Sequence, residues 1–276
     1  MRKSWIVLGL LAACTGSRLP TSAHGQPVLE IRGAVKRGPL ALGRADLEKL
    51  PRRSLRGVDP ATGRAGTWEG VSLATIVTGV ELAKGADTVI VRTADRAAIP
   101  IPLTLVRQWK PVLADRADGE RLATPVLAWP TLEQRGLETD PRAEGWWARD
   151  VVALEIVVWQ RAFATALAIP DGAVDTARRG ATWYADRCLR CHPMRGAGGQ
   201  RGPDLTTVAA RLRPAAFEAL LEHHPGWKQT TIEAPGPEGA QELWSFLHAV
   251  AASPAMPAAP AEPFTADRGS GPANTP

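Results

Sequence analysis

The chain has 276 residues, of which 45% are hydrophobic and 22% charged, with a formal net charge of +5. That is an ordinary globular composition, and the length suits about two compact units. The small positive surplus is evenly mixed with acids and carried in part by Arg2 and Lys3 at the extreme N-terminus, which argues against nucleic acid as a partner.

Arg2 and Lys3 precede an apolar run from Trp5 to Ala13 that is too short to span a bilayer. The pattern reads as the charged and hydrophobic regions of an export signal. Leu11-Ala12-Ala13-Cys14 resembles the bacterial lipobox, in which cleavage falls before a diacylated cysteine. Cleavage near Ala23 by ordinary signal peptidase is the alternative. The first reading gives Cys14 a role as a lipid attachment site and the protein a membrane tether. Residues 1–26 are therefore taken as leader and tether, and the product as exported to the periplasm. No later run of about eighteen or more apolar residues is present.

Residues 27–160 read as a region of short strands and brief helices. Leu29, Ile31 and Val35 lie in an extended segment, with Gly33 at a bulge or turn. Asp46 to Leu50 forms a short helix closed by Pro51. Ser54 to Val58 is a strand, and Trp68-Glu69-Gly70-Val71 leads into a helical patch in which Leu73, Ile76 and Val77 share a face. Thr88 to Arg92 is β-branched and extended. Ile99-Pro100-Ile101-Pro102 fits only an edge strand or a loop, because proline donates no ladder hydrogen bond. Val112-Leu113, Pro125 to Trp129 and Val151 to Trp159 complete the strands. Mixed order with brief helices predicts an α+β fold rather than a wound parallel sheet.

Gly33-Ala34-Val35, Asp46 to Pro51, Trp68 to Leu73, Leu113-Ala114, Asp118 to Leu122 and the strand from Trp147 to Ile156 together resemble the molybdopterin-binding domain of the sulfite oxidase family. The resemblance covers about half the chain and implies a mixed α+β domain. In that family a cysteine thiolate binds molybdenum. Residues 27–160 contain neither Cys nor His, so a soft metal ligand and an imidazole are both missing. The expectation is a relative without the molybdenum cofactor. The ten tryptophans, among them Trp129, Trp146 and Trp147, fit either a stacking platform or, as the commoner use of such residues, packing of the domain and its junction.

Residues 161–173, with the turn signal Pro170-Asp171-Gly172, read as a linker. Within residues 174–252 stands Cys188-Leu189-Arg190-Cys191-His192, the pentapeptide of covalent c-type haem attachment. Two thiols three positions apart form thioethers to the haem vinyl groups, and His192 is then placed to ligate the iron. A thioredoxin-like pair would need a βαβ setting, and a zinc site would need two further ligands at similar spacing, whereas no cysteine lies between Cys14 and Cys188 or after Cys191. Ala177, Ala181 and Tyr184 fall on one helical face before the pentapeptide. Pro214 to Glu222 is helical, and Leu243, Phe246, Leu247 and Val250 make a closing amphipathic helix. Residues 253–276 are rich in Pro, Ala and Gly and read as disordered.

The flanks, with Gly180 and Tyr184 before the pentapeptide and Gly202-Pro203-Asp204-Leu205 after it, resemble the mono-haem cytochrome c fold. The resemblance implies a small all-α domain in which the last helix crosses the first, bringing Leu243 and Phe246 toward Gly180 and Tyr184. It also implies a haem pocket that includes Gly202 and Leu205, and a Pro203 carbonyl that accepts from the His192 ring and raises its basicity toward iron. The usual distal methionine is missing. Met194 lies too close to His192 in sequence to reach the other face, Met256 lies beyond the closing helix, and His223 and His224 end a helix on the distal side. One of the two histidines, Met256, or an open site all remain alternatives for the sixth position. The expected function is electron carriage through one covalent haem c, in concert with redox partner proteins. The alternative is a haem protein that binds a gas or peroxide at an open distal site.

Overall fold

The protein is described from a computed structural model covering Leu19, Ala23 and residues 25–140, 142–226 and 234–253. Cys14 and Met256 lie outside the described residues. The fold is mixed α+β, as the sequence predicts.

Nine strands form two sheets. The first takes β1 (Pro27–Gly33), β2 (Leu40–Gly43), β9 (Val151–Val157), β5 (Thr88–Thr93) and β6 (Ala98–Pro102) in the order β2-β1-β9-β5-β6. Only the β1–β9 pair is parallel. The second sheet is antiparallel, with β3 (Arg52–Asp59), β4 (Arg64–Ser72), β7 (Val112–Ala117) and β8 (Glu120–Ala128) in sequence order. Gly33 ends β1 at φ +89°, and a Cβ there would stand 2.2 Å from the Ile156 carbonyl oxygen, so the crossing onto β9 requires glycine.

Short helices join the strands: α1 (Arg44–Glu48), α2 (Leu73–Gly79), α3 (Leu103–Trp109) and α4 (Arg135–Glu138). The helix α3 is new relative to the sequence reading. It begins directly after Pro102, and its apolar Leu103 and Val106 are buried. One continuous core draws residues from all nine strands and includes Trp68, Trp129, Trp146 and Trp147. Trp129 is fully buried and its indole nitrogen donates to the Trp146 carbonyl at 3.0 Å, so packing is the use this group finds.

Val89 and Val91 face that core, whereas Ile90, from the other face of the same strand, belongs to a second core. The continuous apolar run of β5 is thus explained by burial on both sides. The stretch read as a linker is packed: α5 (Trp159–Phe163) sets Phe163 into the second core. Beyond it come α6 (Asp175–Trp183), a π turn (Tyr184–Cys188), α7 (Val208–Arg211), α8 (Pro214–Glu222) and α9 (Pro237–Ala252). Among the described residues from Asp175 onward there is no strand.

The crossing of α9 over α6 organises this helical part. A Cβ on Gly180 would lie 2.0 Å from the Glu242 carbonyl oxygen and 2.8 Å from the Phe246 Cβ, so the two backbones touch where glycine removes the side chain. The Tyr184 and Phe246 rings lie 5.4 Å apart beside that contact. Leu243, Phe246, Leu247 and Val250 are all buried, as their spacing requires.

Candidate functional site

The π turn widens the end of α6 just before the cysteine pair. It leads into a tight turn in which the amides of Cys191 and His192 both donate to the Cys188 carbonyl, at 3.0 and 2.9 Å. Both sulfurs and the His192 ring are therefore carried on one helical turn. Neither cysteine is in a disulfide. Cys188 is buried, which pushes its thiol up to about 12, with Cys191 adding to the shift and Arg187 opposing it. Cys191 is half-buried.

Beneath the turn, the Tyr184 hydroxyl donates to the His192 carbonyl at 2.8 Å. Burial raises the Tyr184 phenol well above its usual value, so it stays a neutral donor. The aromatic residue anticipated only as packing thus also pins the backbone that carries the imidazole.

The segment after the pentapeptide folds back over the imidazole. Gly202 N–H donates to the Cys191 carbonyl at 2.9 Å, and Leu205 N–H donates to the Pro193 carbonyl at 3.0 Å. A Cβ on Gly202 would stand 2.2 Å from the His192 Cε1, so only glycine lets the chain lie against the ring. The Pro203 carbonyl lies 2.9 Å from His192 Nδ1. A carbonyl only accepts, so Nδ1 carries the proton and the lone pair resides on Nε2. Leu205 packs against the second core.

Asp204 escaped the sequence reading. Its carboxylate accepts from the Gly196 and Thr206 amides, each at 2.8 Å, and Thr206 Oγ1 in turn accepts from the Arg195 amide at 2.6 Å. The Asp-x-Thr pattern after Gly-Pro is an Asx-turn signal that could have revealed it. Arg195 is a second missed residue. Its guanidinium donates to the carbonyls of Thr165, Ala168 and Val250 at 2.9, 3.0 and 3.4 Å, tying the loop to both the preceding connection and α9.

The structure separates the distal candidates. His223 is exposed, and its Nδ1 lies 3.1 Å from the Ala219 carbonyl of its own helix. His224 faces His192, with ring centroids 5.6 Å apart and planes inclined by 65°. Burial, and secondarily His192, lower the His224 pKa below the ordinary 6.5, so the ring is neutral at physiological pH. Its Nδ1 accepts from the Gly226 amide at 3.0 Å. Met194 is fully buried in the second core.

The His192 and His224 rings lie in an edge-to-face contact, and each carries imidazole nitrogens of the kind that ligate haem iron. Among the described residues no group of three or more His, Cys, Asp or Glu is placed to hold a metal ion. Two imidazoles alone are a poor metal site, whereas a porphyrin brings four nitrogens of its own. The donor set of the turn, two unbridged thiols and an imidazole whose Nδ1 bonds the Pro203 carbonyl, is of the kind that would hold a haem through Cys188, Cys191 and His192.

No family profile matches the sequence, and no curated protein matches it. Among solved structures, the sulfane dehydrogenase SoxCD from Paracoccus pantotrophus is similar over 52% of this chain and 42% of its own, at 18% identity and a TM-score of 0.37. The match thus spans less than half the length of that protein.

Proposed function

We propose that this chain is an exported c-type cytochrome that carries electrons through one haem bonded to Cys188 and Cys191 and ligated by His192. The observation that carries the reading is the His192 ring itself. It sits on the same turn as two unbridged cysteines, its Nδ1 donates to the Pro203 carbonyl, and its Nε2 lone pair is left for a metal. When bound, the haem supplies a reversible one-electron ferric/ferrous couple.

The chain's own residues do the rest. Pro203 raises the donor strength of His192 by accepting from Nδ1. Tyr184 pins the backbone that carries the ring and Gly202 lies against the ring itself, so the orientation of the imidazole is fixed. His224 is the proposed sixth ligand. Ligation through its Nε2 requires the Nδ1 to take up the proton and therefore to release the Gly226 amide. Residues 27–160, without Cys or His, are proposed as a docking and support unit free of molybdenum, and Cys14 as a lipid anchor in the periplasm.

The Gly226–His224 bond also favours a second reading. If it persists, the iron keeps an open distal position, and the protein binds a small ligand such as a gas or peroxide. Optical spectra separate the two. The carrier reading predicts a low-spin ferric protein and a ferrous form that resists carbon monoxide at neutral pH. His224→Ala then becomes high-spin and binds carbon monoxide, while His223→Ala is unchanged. A high-spin wild type that binds carbon monoxide overturns His224 ligation.

A further inference from the structure

We infer that the first part of the chain sets the reduction potential of the haem, through two arginines that it holds at the Cys191 edge. The inference rests on the haem reading above. Sequence leaves residues 27–160 without a chemical task, yet contacts from this part reach both the pentapeptide, at Arg190, and the segment after it, at Gln200 and Arg201.

The turn between β5 and β6 reaches directly to the attachment segment. The Ala98 amide, on the open edge of β6, donates to the Arg190 carbonyl at 2.9 Å. The next positions pointing the same way are Pro100 and Pro102, which have no N–H, so this edge is spent on Arg190 alone. The Gln200 amide donates to the Arg96 carbonyl at 2.8 Å. From another loop of the first part, the Gly145 carbonyl accepts from Arg190 Nη1 at 2.9 Å.

Both arginines lie close to the sulfur. Arg190 adjoins Cys191 in the chain, and Arg201 Nη1 lies 3.9 Å from Cys191 Sγ. The Arg190 Nε is buried and has no hydrogen-bond partner among the described residues. Its acceptor at Gly145 is a neutral carbonyl, and the Asp95 carboxylate acts on its charge without a direct ion pair among the described residues. Burial works against that charge, but a guanidinium remains protonated. Arg201 differs: its Nε pairs with Asp95 at 3.1 Å, and the Asp95 side chain is 54% exposed. Asp95 is held in the β5–β6 turn by the hydroxyl of Thr93, which donates to it.

A fixed cation beside the haem disfavours the ferric over the ferrous state, because oxidation adds positive charge nearby. Arg190 should therefore raise the potential most, Arg201 less, and Asp95 should offset Arg201. Solvent and salt screen the Arg201–Asp95 pair, whereas Arg190 is sheltered.

The test is a spectroelectrochemical titration of the full-length, haem-loaded protein and its variants. Arg190→Gln and Arg201→Gln should shift the midpoint downward, giving a several-fold lower ferrous-to-ferric ratio at the wild-type midpoint for Arg190→Gln. Asp95→Asn should shift it upward, and Arg190→Lys should stay near wild type. Added salt should shrink the Arg201 and Asp95 shifts more than the Arg190 shift. Should Arg190→Gln fail to fold, the exposed Arg201 and Asp95 variants still carry the opposite signs, which a purely structural role would not produce. Midpoints that stay put, or all move one way, in variants with intact covalent haem overturn the inference. A wild-type protein without covalent haem overturns the haem reading itself.

Discussion

The two cores of this molecule are stabilised in different ways. The first draws on every strand, and its large residues fill their own interior, with Trp68 against Trp147 and Trp129 against Trp146 at centroid distances of 5.2 and 5.1 Å. The second, within residues 175–253 and their neighbours, gathers Tyr184, Leu189, Met194, Phe217 and the buried face of α9, and borrows Ile90 and Ala98 from the sheet. A helical unit of that size rarely buries enough apolar surface alone and usually requires a staple. Its described cysteines form no disulfide, and His192 on the attachment turn lies against His224 at the end of α8. The contrast teaches that the strand region is stabilised by its own interior, whereas the helical region, on the proposed reading, would draw stability from a bound haem.

Removing both thiols should break this contrast most severely. With Cys188→Ala and Cys191→Ala together, covalent haem should be absent, and limited proteolysis should cut within residues 175–253 while the strand region survives. Equal resistance of both regions would show that the helical part needs no cofactor. Trp129→Ala attacks the other side: a fully buried tryptophan removed from a core costs about 3–5 kcal/mol. Urea unfolding followed by tryptophan fluorescence should register that loss, and the haem absorption of the folded variant should match wild type.

Gly180→Ala is the finer probe. The added methyl group must push α9 away from the Glu242 carbonyl, and overpacking of this kind costs about 1–3 kcal/mol. The loss should appear in unfolding followed at the haem absorption band, with little change in the early fluorescence of the strand region. A neutral effect would mean that the helices cross more loosely than their contact implies.

Much of the fold was legible because its signals are local. The strand from Pro27, the helix opened by Pro214, the edge placement of Ile99 to Pro102 and the buried stripe of α9 follow from period, proline and turn chemistry. The helix α3 was hidden because Leu103 to Trp109 follows a Pro-x-Pro segment that reads as loop. At the site, the His192–Pro203 contact was legible through resemblance, but the choice between His223 and His224 was not. Adjacent residues on a helix end differ only in direction, which the C-terminal turn of α8 decides. The contacts of Ala98 and Gly145 with Arg190, and of Arg96 with Gln200, were also invisible, since they join groups far apart in the chain.

The central claim is that one iron porphyrin is bonded to this chain through Cys188 and Cys191. The most direct test is the intact mass of the protein, expressed with export and haem-attachment machinery and denatured in acid and organic solvent. The account predicts a polypeptide heavier by one haem, with the added mass on the peptide that contains both cysteines. An unmodified mass, with the pigment extracted into the solvent, would contradict it.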